Sequence, residues 1–271
     1  MADVLYQWPT DQVADSATIT LTTGTADATY PIANLTDGNI AKPHKVAETS
    51  ATWKLDFGAA QRVDLVALGP HNFDAGLQVK IQGNATDAWG SPTVDTTITI
   101  PADDADGRAV CPFKDLTGVT GYSTTGFRYW RLAVTGVNSV ALALGELWFG
   151  AEKRVMATVF GQHYQEPFDV EEIRSLVEHE TTYGVATVYD LMQRRRVFRG
   201  ELRVGALGVA AFRAWHHAMR GRVYPGLWMP DADVNDVWWV RAARDWRVTR
   251  HLEDVQDIAL VLDELSHGLP L

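Results

Sequence analysis

Ala51-Thr52-Trp53-Lys54-Leu55-Asp56-Phe57-Gly58 is the stretch that decides the fold of the first half of the chain. Trp53, Leu55 and Phe57 alternate with Lys54 and Asp56. A period of two places the bulky apolar groups on one face of a strand and the charges on the other, as a half-solvated antiparallel strand requires. Gly58 closes the run, and Val63-Asp64-Leu65-Val66-Ala67-Leu68 reads as the next core strand. Outward from this pair, residues 17–22, 77–83, 96–100, 129–134 and 142–149 form further short β-favouring runs. Asp37-Gly38, Gly69-Pro70, Asp74-Ala75-Gly76 and Asp106-Gly107 stand between them as turn-forming punctuation. No window before Gly150 sustains the 3.6-residue apolar period of a helix, so residues 1–150 are predicted as a jelly-roll β-sandwich and the chain as mainly β.

Whole-chain numbers bound the rest. At 271 residues the chain is long enough for two domains with proper cores, and its single cysteine, Cys111, excludes an intramolecular disulfide or a Cys-rich metal site. The 34 acidic and 24 basic side chains leave a net charge of -10, which disfavours phosphate backbones and predicts no direct nucleic-acid readout. No stretch reaches about 18 uninterrupted apolar residues and the start lacks a secretory pattern, so a cytosolic product without membrane insertion is expected.

Beyond Gly150 the texture changes and arginine becomes frequent. Residues 207–220 place Val209, Phe212, Trp215, His216 and Met219 at helical spacings, with Gly221 where a left-handed C-cap is expected. Around this one helix lie strand-like runs at 184–191 and 196–204, read as a hairpin with its turn at 192–195, and at 237–242, 246–250 and 255–262; residues 170–176 read as a short acidic helix or turn. Residues 151–271 are accordingly predicted as an α+β domain.

At four places the first half resembles the discoidin, or coagulation factor 5/8 type C, family of galactose-binding-like domains: Asn34-Leu35-Thr36-Asp37-Gly38, Ala51 to Gly58 with the strand that follows it, Phe127-Arg128-Tyr129-Trp130-Arg131-Leu132, and Leu144-Gly145-Glu146-Leu147-Trp148-Phe149. The resemblance implies a ligand site in the loops at one end of the sandwich, for which His71, Asn72, Phe73 and Trp89 are the candidates, with Tyr122 a further one. An indole can stack on a sugar face while Asn or His bonds its hydroxyls. The competing reading is that Phe73 and Trp89 cap the core. The same resemblance implies a structural Ca²⁺ near Asp37 and Glu146, with backbone carbonyls or water completing the oxygen shell. An Asx-turn at Asp37 and a solvated or paired Glu146 is the plain alternative. No other cofactor is expected.

The second half is similar to minor structural proteins of tailed-phage tails, the tail-tube and distal-tail lineage in which a β-rich ring-forming domain packs one helix. Phe198-Arg199-Gly200-Glu201-Leu202, the helix ending at Arg220, Gly221 to Pro230, Arg241 to Trp246 and Ile258 to Glu264 carry that likeness. Those proteins place the ring-forming domain first, whereas here the sandwich precedes it. The resemblance implies a virion tail component at or near the distal tail or tail-tip hub, assembled in the host cytoplasm. Its partners would be itself in a homo-oligomeric ring such as a hexamer, other tail proteins, and a host-surface glycan. The rival is a carbohydrate-binding accessory module of a glycan-active system, and a third reading is an enzyme hidden in the second half.

The chemistry-bearing residues favour a non-enzyme. His216 and His217 are adjacent on a helix and point about 100° apart, so they cannot share an ion as an i, i+4 pair would. There is no Gly-x-Ser-x-Gly elbow and no Gly-rich phosphate loop. Of the ten tryptophans, Trp215, Trp228, Trp238, Trp239 and Trp246 lie in the second half and interleave with arginines, a mix suited to interfaces. Trp238-Trp239 needs either a two-sided core or a partner subunit, since neighbours on a strand face opposite ways. Arg194-Arg195-Arg196, placed at a hairpin tip, would pair with an acidic neighbouring subunit or remain a solvated turn.

Overall fold

A computed structural model describes residues 5–7, 11–40, 42–103, 110–155, 164–180, 186–204, 206–218, 226–229, 237–242, 247–252 and 255–264. The chain is mainly β. Strands β1 (Leu5–Gln7), β2 (Thr18–Thr23), β3 (His44–Lys45), β4 (Thr52–Gln61), β5 (Leu65–Leu68) and β6 (Gln78–Asn84) come first. β7 (Val94–Thr99), β8 (Phe113–Asp115), β9 (Phe127–Thr135), β10 (Ala143–Leu144), β11 (Leu147–Gly150) and β12 (Arg154–Val155) follow. The long β13 (Tyr164–Glu180) and β14 (Ala186–Val204) then lead to helix α1 (Ala206–Ala218) and to β15 (Gly226–Met229), β16 (Trp238–Ala242), β17 (Arg247–Leu252) and β18 (Val255–Glu264).

The first half is a sandwich. A five-stranded antiparallel sheet, ordered β2-β4-β9-β6-β7, faces a three-stranded sheet, β11-β5-β8, with β10-β3 beside them. Trp53 and Leu55 on β4, Trp130 and Leu132 on β9 and Val79 and Ile81 on β6 fill the space between the sheets, meeting Val66, Leu68, Leu147 and Phe149 from the opposite side. Lys54 and Asp56 stay half-buried on the outer face, so the alternation read in β4 is real, although Phe57 is itself only half-buried against Phe149. Burying one indole such as Trp53 contributes on the order of 4 kcal/mol.

β5 and β11 are buried at every residue because a second sheet covers the back of the three-stranded one. Val66 and Leu68 face the sandwich core, whereas Leu65, Ala67, Phe113 and Trp148 join Leu227, Val237 and Trp239 in a separate cluster. A strand buried on both faces needs a continuous apolar run, which is what Leu65-Val66-Ala67-Leu68 supplies. The covering sheet has eight antiparallel strands in the order β12-β1-β15-β16-β18-β14-β13, with β17 also on β18. β1, from the first residues of the chain, is inserted between β12 and β15, pairing Leu5 with both Val155 and Met229. α1 packs against β14 and β18.

Several local expectations are corrected. Residues 170–176 belong to β13 and are strand, not helix or turn. Arg194-Arg195-Arg196 do not sit at a hairpin tip: β14 runs through them, with Arg194, Arg195 and Arg196 in register with Arg174, Ile173 and Glu172, and the reversal falls between Glu180 and Ala186. Residues 142–149 form two short strands interrupted at Gly145-Glu146. The expected cap at Gly221 lies outside the described residues.

Candidate functional site

The most developed polar surface lies on the outer face of the five-stranded sheet. Register brings Lys54 beside Arg131, Arg131 beside Gln82 and Gln82 beside Asp95, so four consecutive strands contribute one row of polar side chains. The β6–β7 connection places Trp89 over this row. Its Nε1–H donates to Asp87 Oδ1 at 2.8 Å, and the Arg131 guanidinium lies 4.6 Å from the ring centre. Asp87 in turn takes a 2.7 Å ion pair from Lys54, and Arg131 donates to Gln82 Oε1, whose amide reaches Asp95 at 3.2 Å. The Lys54 bond, helped by the indole N–H, holds the Asp87 carboxyl below its ordinary value. Nearby, Arg128 grips Asp56 with two bonds of 2.8 and 2.9 Å and pushes its carboxyl down to about 2. An indole fixed at its edge and ringed by donors and acceptors suits a polyhydroxylated ring, which offers C–H groups for stacking and hydroxyls for bonding.

The other loop candidates serve the fold. His71 and Phe73 are buried, their rings stacked 5.0 Å apart; His71 Nε2 lies 3.2 Å from the Val110 carbonyl and Nδ1 accepts the Phe73 N–H. They cap the core, which is the alternative reading for Phe73, with His71 packed against it. Asn72 pins a neighbouring loop, donating to Ala141 O and accepting from Ala143 N–H, both at 2.8 Å. Tyr122 donates at 2.5 Å to Asp64, a 1 % exposed carboxylate also held by Arg62 and by the Lys153 N–H. Trp89 therefore belongs to a different group from His71, Asn72 and Phe73.

Asp37 and Glu146, distant in sequence, lie close enough for the charge of one to act on the other. Glu146 is 2 % exposed, its Oε2 finds no hydrogen-bond partner among the described residues, and burial together with the nearby charges of Asp37 and Asp15 pushes its carboxyl up to about 9. Only the Gly38 N–H opposes that rise. Asp37 caps its own turn by accepting the Asn39 N–H at 2.8 Å. Among the described residues no group of three or more His, Cys, Asp or Glu side chains is arranged to hold a metal. Glu146 and Asp37 offer hard oxygen donors of the kind Ca²⁺ takes, and backbone carbonyls and water would have to supply the rest of a shell.

Both tryptophans proposed for an interface are buried within the chain, as the two-sided-core alternative expects. Trp239 packs against Trp148 on one side of the sheet, while the Arg196 guanidinium lies 3.8 Å from the Trp238 ring centre. The cross-strand partners of Trp89 escaped sequence reasoning. Arg131 was visible only as part of a strand motif, and no pattern along the chain pairs it with Gln82 or Lys54.

No protein-family profile matches the chain, and no curated protein does. Among solved structures, CpGH89CBM32-6 produced by Clostridium perfringens is similar at 15 % identity and a TM-score of 0.37, over 52 % of this chain and 99 % of that one. The family 32 CBM from C. perfringens NanJ in complex with galactose matches at 11 % identity and 0.38, over 52 % and 96 %. The lectin domain of lectinolysin complexed with Lewis B antigen matches at 14 % identity and 0.37, over 53 % and 98 %. Each likeness spans about half of this chain.

Proposed function

We propose that this chain is a non-catalytic structural and binding protein in which the sandwich carries a glycan-binding face around Trp89 and the second half carries self-assembly. Its finer placement is a component of a phage virion tail, at or near the distal tail or tail-tip hub, in contact with other tail proteins. The observation that supports a scaffold is the joining of the two halves. β1 leaves the first half to pair within the second sheet, and Trp148 and Trp239 share one apolar cluster. A shared sheet and core make one stiff body, whereas an accessory module on a tether moves independently of its neighbour. Glu146 and Asp37 would hold Ca²⁺, which there would supply charge neutralisation and nothing catalytic.

The Trp89 platform also supports the second reading, a carbohydrate-binding accessory module of a glycan-active system. Two measurements separate them. Light scattering on the intact chain should give a multimer or assembly with tail partners under the first reading, and a monomer with tight sugar binding under the second. Glycan-array binding should fall at least about tenfold on Trp89→Ala, in line with the loss of one stacking contact. Binding unchanged by that substitution removes the site, and turnover of a polysaccharide by the protein overturns the non-enzymatic reading.

A further inference from the structure

The β13–β14 hairpin outruns the sheet that roots it. β18 pairs with β14 only over residues 197–204, whereas β13 pairs with β14 from Tyr164 to Glu180. Among the described residues, 186–196 of β14 are thus hydrogen-bonded on one side alone, and β13, last in the strand order, has no strand on its outer edge along its 17 residues. At about 3.3 Å per residue the two-stranded part extends roughly 35 Å. A two-stranded ribbon is marginal in water, and open edges are templates for pairing unless lysine, proline or short length blunts them. Neither strand contains a lysine, and the one proline, Pro167, lies near the base of β13.

The two open edges differ in charge. β13 carries Glu166, Asp169, Glu171, Glu172, Glu178 and Glu180 against Arg174, whereas the open stretch of β14 carries Arg194, Arg195 and Arg196 against Asp190. Pairing β13 with β13 across a two-fold axis would set glutamates against glutamates, and pairing β14 with β14 would set arginines together; like charges on neighbouring strands destabilise a sheet. We infer that the acidic outer edge of β13 in one copy of this chain pairs head to tail with the arginine-bearing open stretch of β14 in the next. Such a contact is heterologous, so it propagates until it closes on itself as a ring. This rests on the self-assembly part of the proposed function and names the surface that performs it.

The test reverses charge on each edge separately in the full-length chain. One variant carries Glu172→Lys, Glu178→Lys and Glu180→Lys; the other carries Arg194→Glu and Arg195→Glu, leaving Arg196 on Trp238. Each alone should lose the multimer in light scattering, and an equimolar mixture should regain it as a mixed assembly in native mass spectrometry. Whatever each set of substitutions does within its own hairpin persists on mixing, so rescue reads contact between copies. Loss without rescue overturns edge pairing. A wild-type multimer insensitive to both sets also overturns it but leaves self-assembly standing, and a wild-type monomer at about 100 µM overturns both. Should a variant unfold by circular dichroism, Glu178→Cys with Arg194→Cys in a Cys111→Ser background serves instead. Positions 178 and 194 face 188 and 174 within the hairpin, so oxidation should yield covalent multimers, and a monomer band alone overturns the pairing.

Discussion

The indoles of Trp148 and Trp239 meet edge to face, ring centres 5.5 Å apart and planes at 77°, across the boundary between the sandwich and the eight-stranded sheet. Both are buried, and the Trp148 Nε1–H donates to Gln7, so one side chain ties together β11, β16 and β1. Truncating either to alanine opens a cavity the size of an indole in a cluster that both halves share. The expected loss is about 3–5 kcal/mol. Because the cluster belongs to both halves, denaturant unfolding followed by tryptophan emission and by far-UV circular dichroism should move together. A transition that splits, with the sandwich unaffected, would show that the junction carries no coupling.

Gly150 tests the same junction from the backbone. A Cβ built there would lie 1.9 Å from Gln7 Oε1, so Gly150→Ala must displace a side chain that is 2 % exposed and donates to the Glu152 carbonyl at 2.7 Å. The indole N–H of Trp148 then loses its acceptor. A cost of about 1–3 kcal/mol is expected, the usual range for overpacking and for an orphaned buried donor. Gly126→Ala should cost more, since its φ of +73° is left-handed and its Cβ would meet the Gln61 carbonyl oxygen at 1.9 Å. Thermal melts of both variants check the order, and a Gly126→Ala protein as stable as wild type would refute it.

His44 sets a pH dependence. It is fully buried on β3, its Nδ1 3.0 Å from the Tyr30 carbonyl and its ring edge-on to Trp53, and burial holds its pKa below the ordinary 6.5. The unfolded chain therefore binds the proton more readily, and stability contributed by the neutral ring is present above pH 6.5 and lost as pH falls through that value toward the folded pKa. Asp56, held down to about 2 by Arg128, adds a separate loss in the acid range below its unfolded pKa near 4. Urea midpoints of wild type and His44→Gln between pH 7.5 and 5 isolate the first window. The wild type should fall more steeply, and parallel curves would remove the assignment.

What could be read along the chain follows from how each element is buried. β4 shows period two because one face is solvated, and β5 shows an unbroken apolar run because neither is; both patterns are local and both were legible. β13 has neither pattern. Much of it lies in a ribbon that, among the described residues, only β14 flanks, so no sheet face imposes alternation; residues 170–176 read as a short acidic helix or turn and Arg194 to Arg196 as a hairpin tip. β1 is three residues long and its partners Arg154 to Val155 and Leu227 to Met229 are remote, so nothing near it announces a strand. The Asp37–Glu146 proximity was legible through family resemblance, whereas the Trp89–Arg131 contact depends on register between β6, β9 and β4, which side-chain type alone does not specify.

Glu146 yields the metal prediction. In the cation-free protein its buried Oε2 has no hydrogen-bond partner among the described residues and the charges of Asp37 and Asp15 act on it, an arrangement that costs stability unless a proton or a cation is taken up. Adding Ca²⁺ to about one hundred times its Kd should stabilise the fold by about 2.7 kcal/mol, read as a rise in melting temperature reversed by a chelator. Glu146→Gln should abolish that rise without lowering cation-free stability, because a neutral amide replaces a carboxyl that burial already keeps protonated. Asp37→Asn should weaken the rise while keeping the turn, since the amide oxygen still accepts the Asn39 N–H. A wild-type melt indifferent to Ca²⁺, with Glu146→Gln equally stable, would leave the carboxyl as a protonated core acid and remove the cation from this corner of the sandwich.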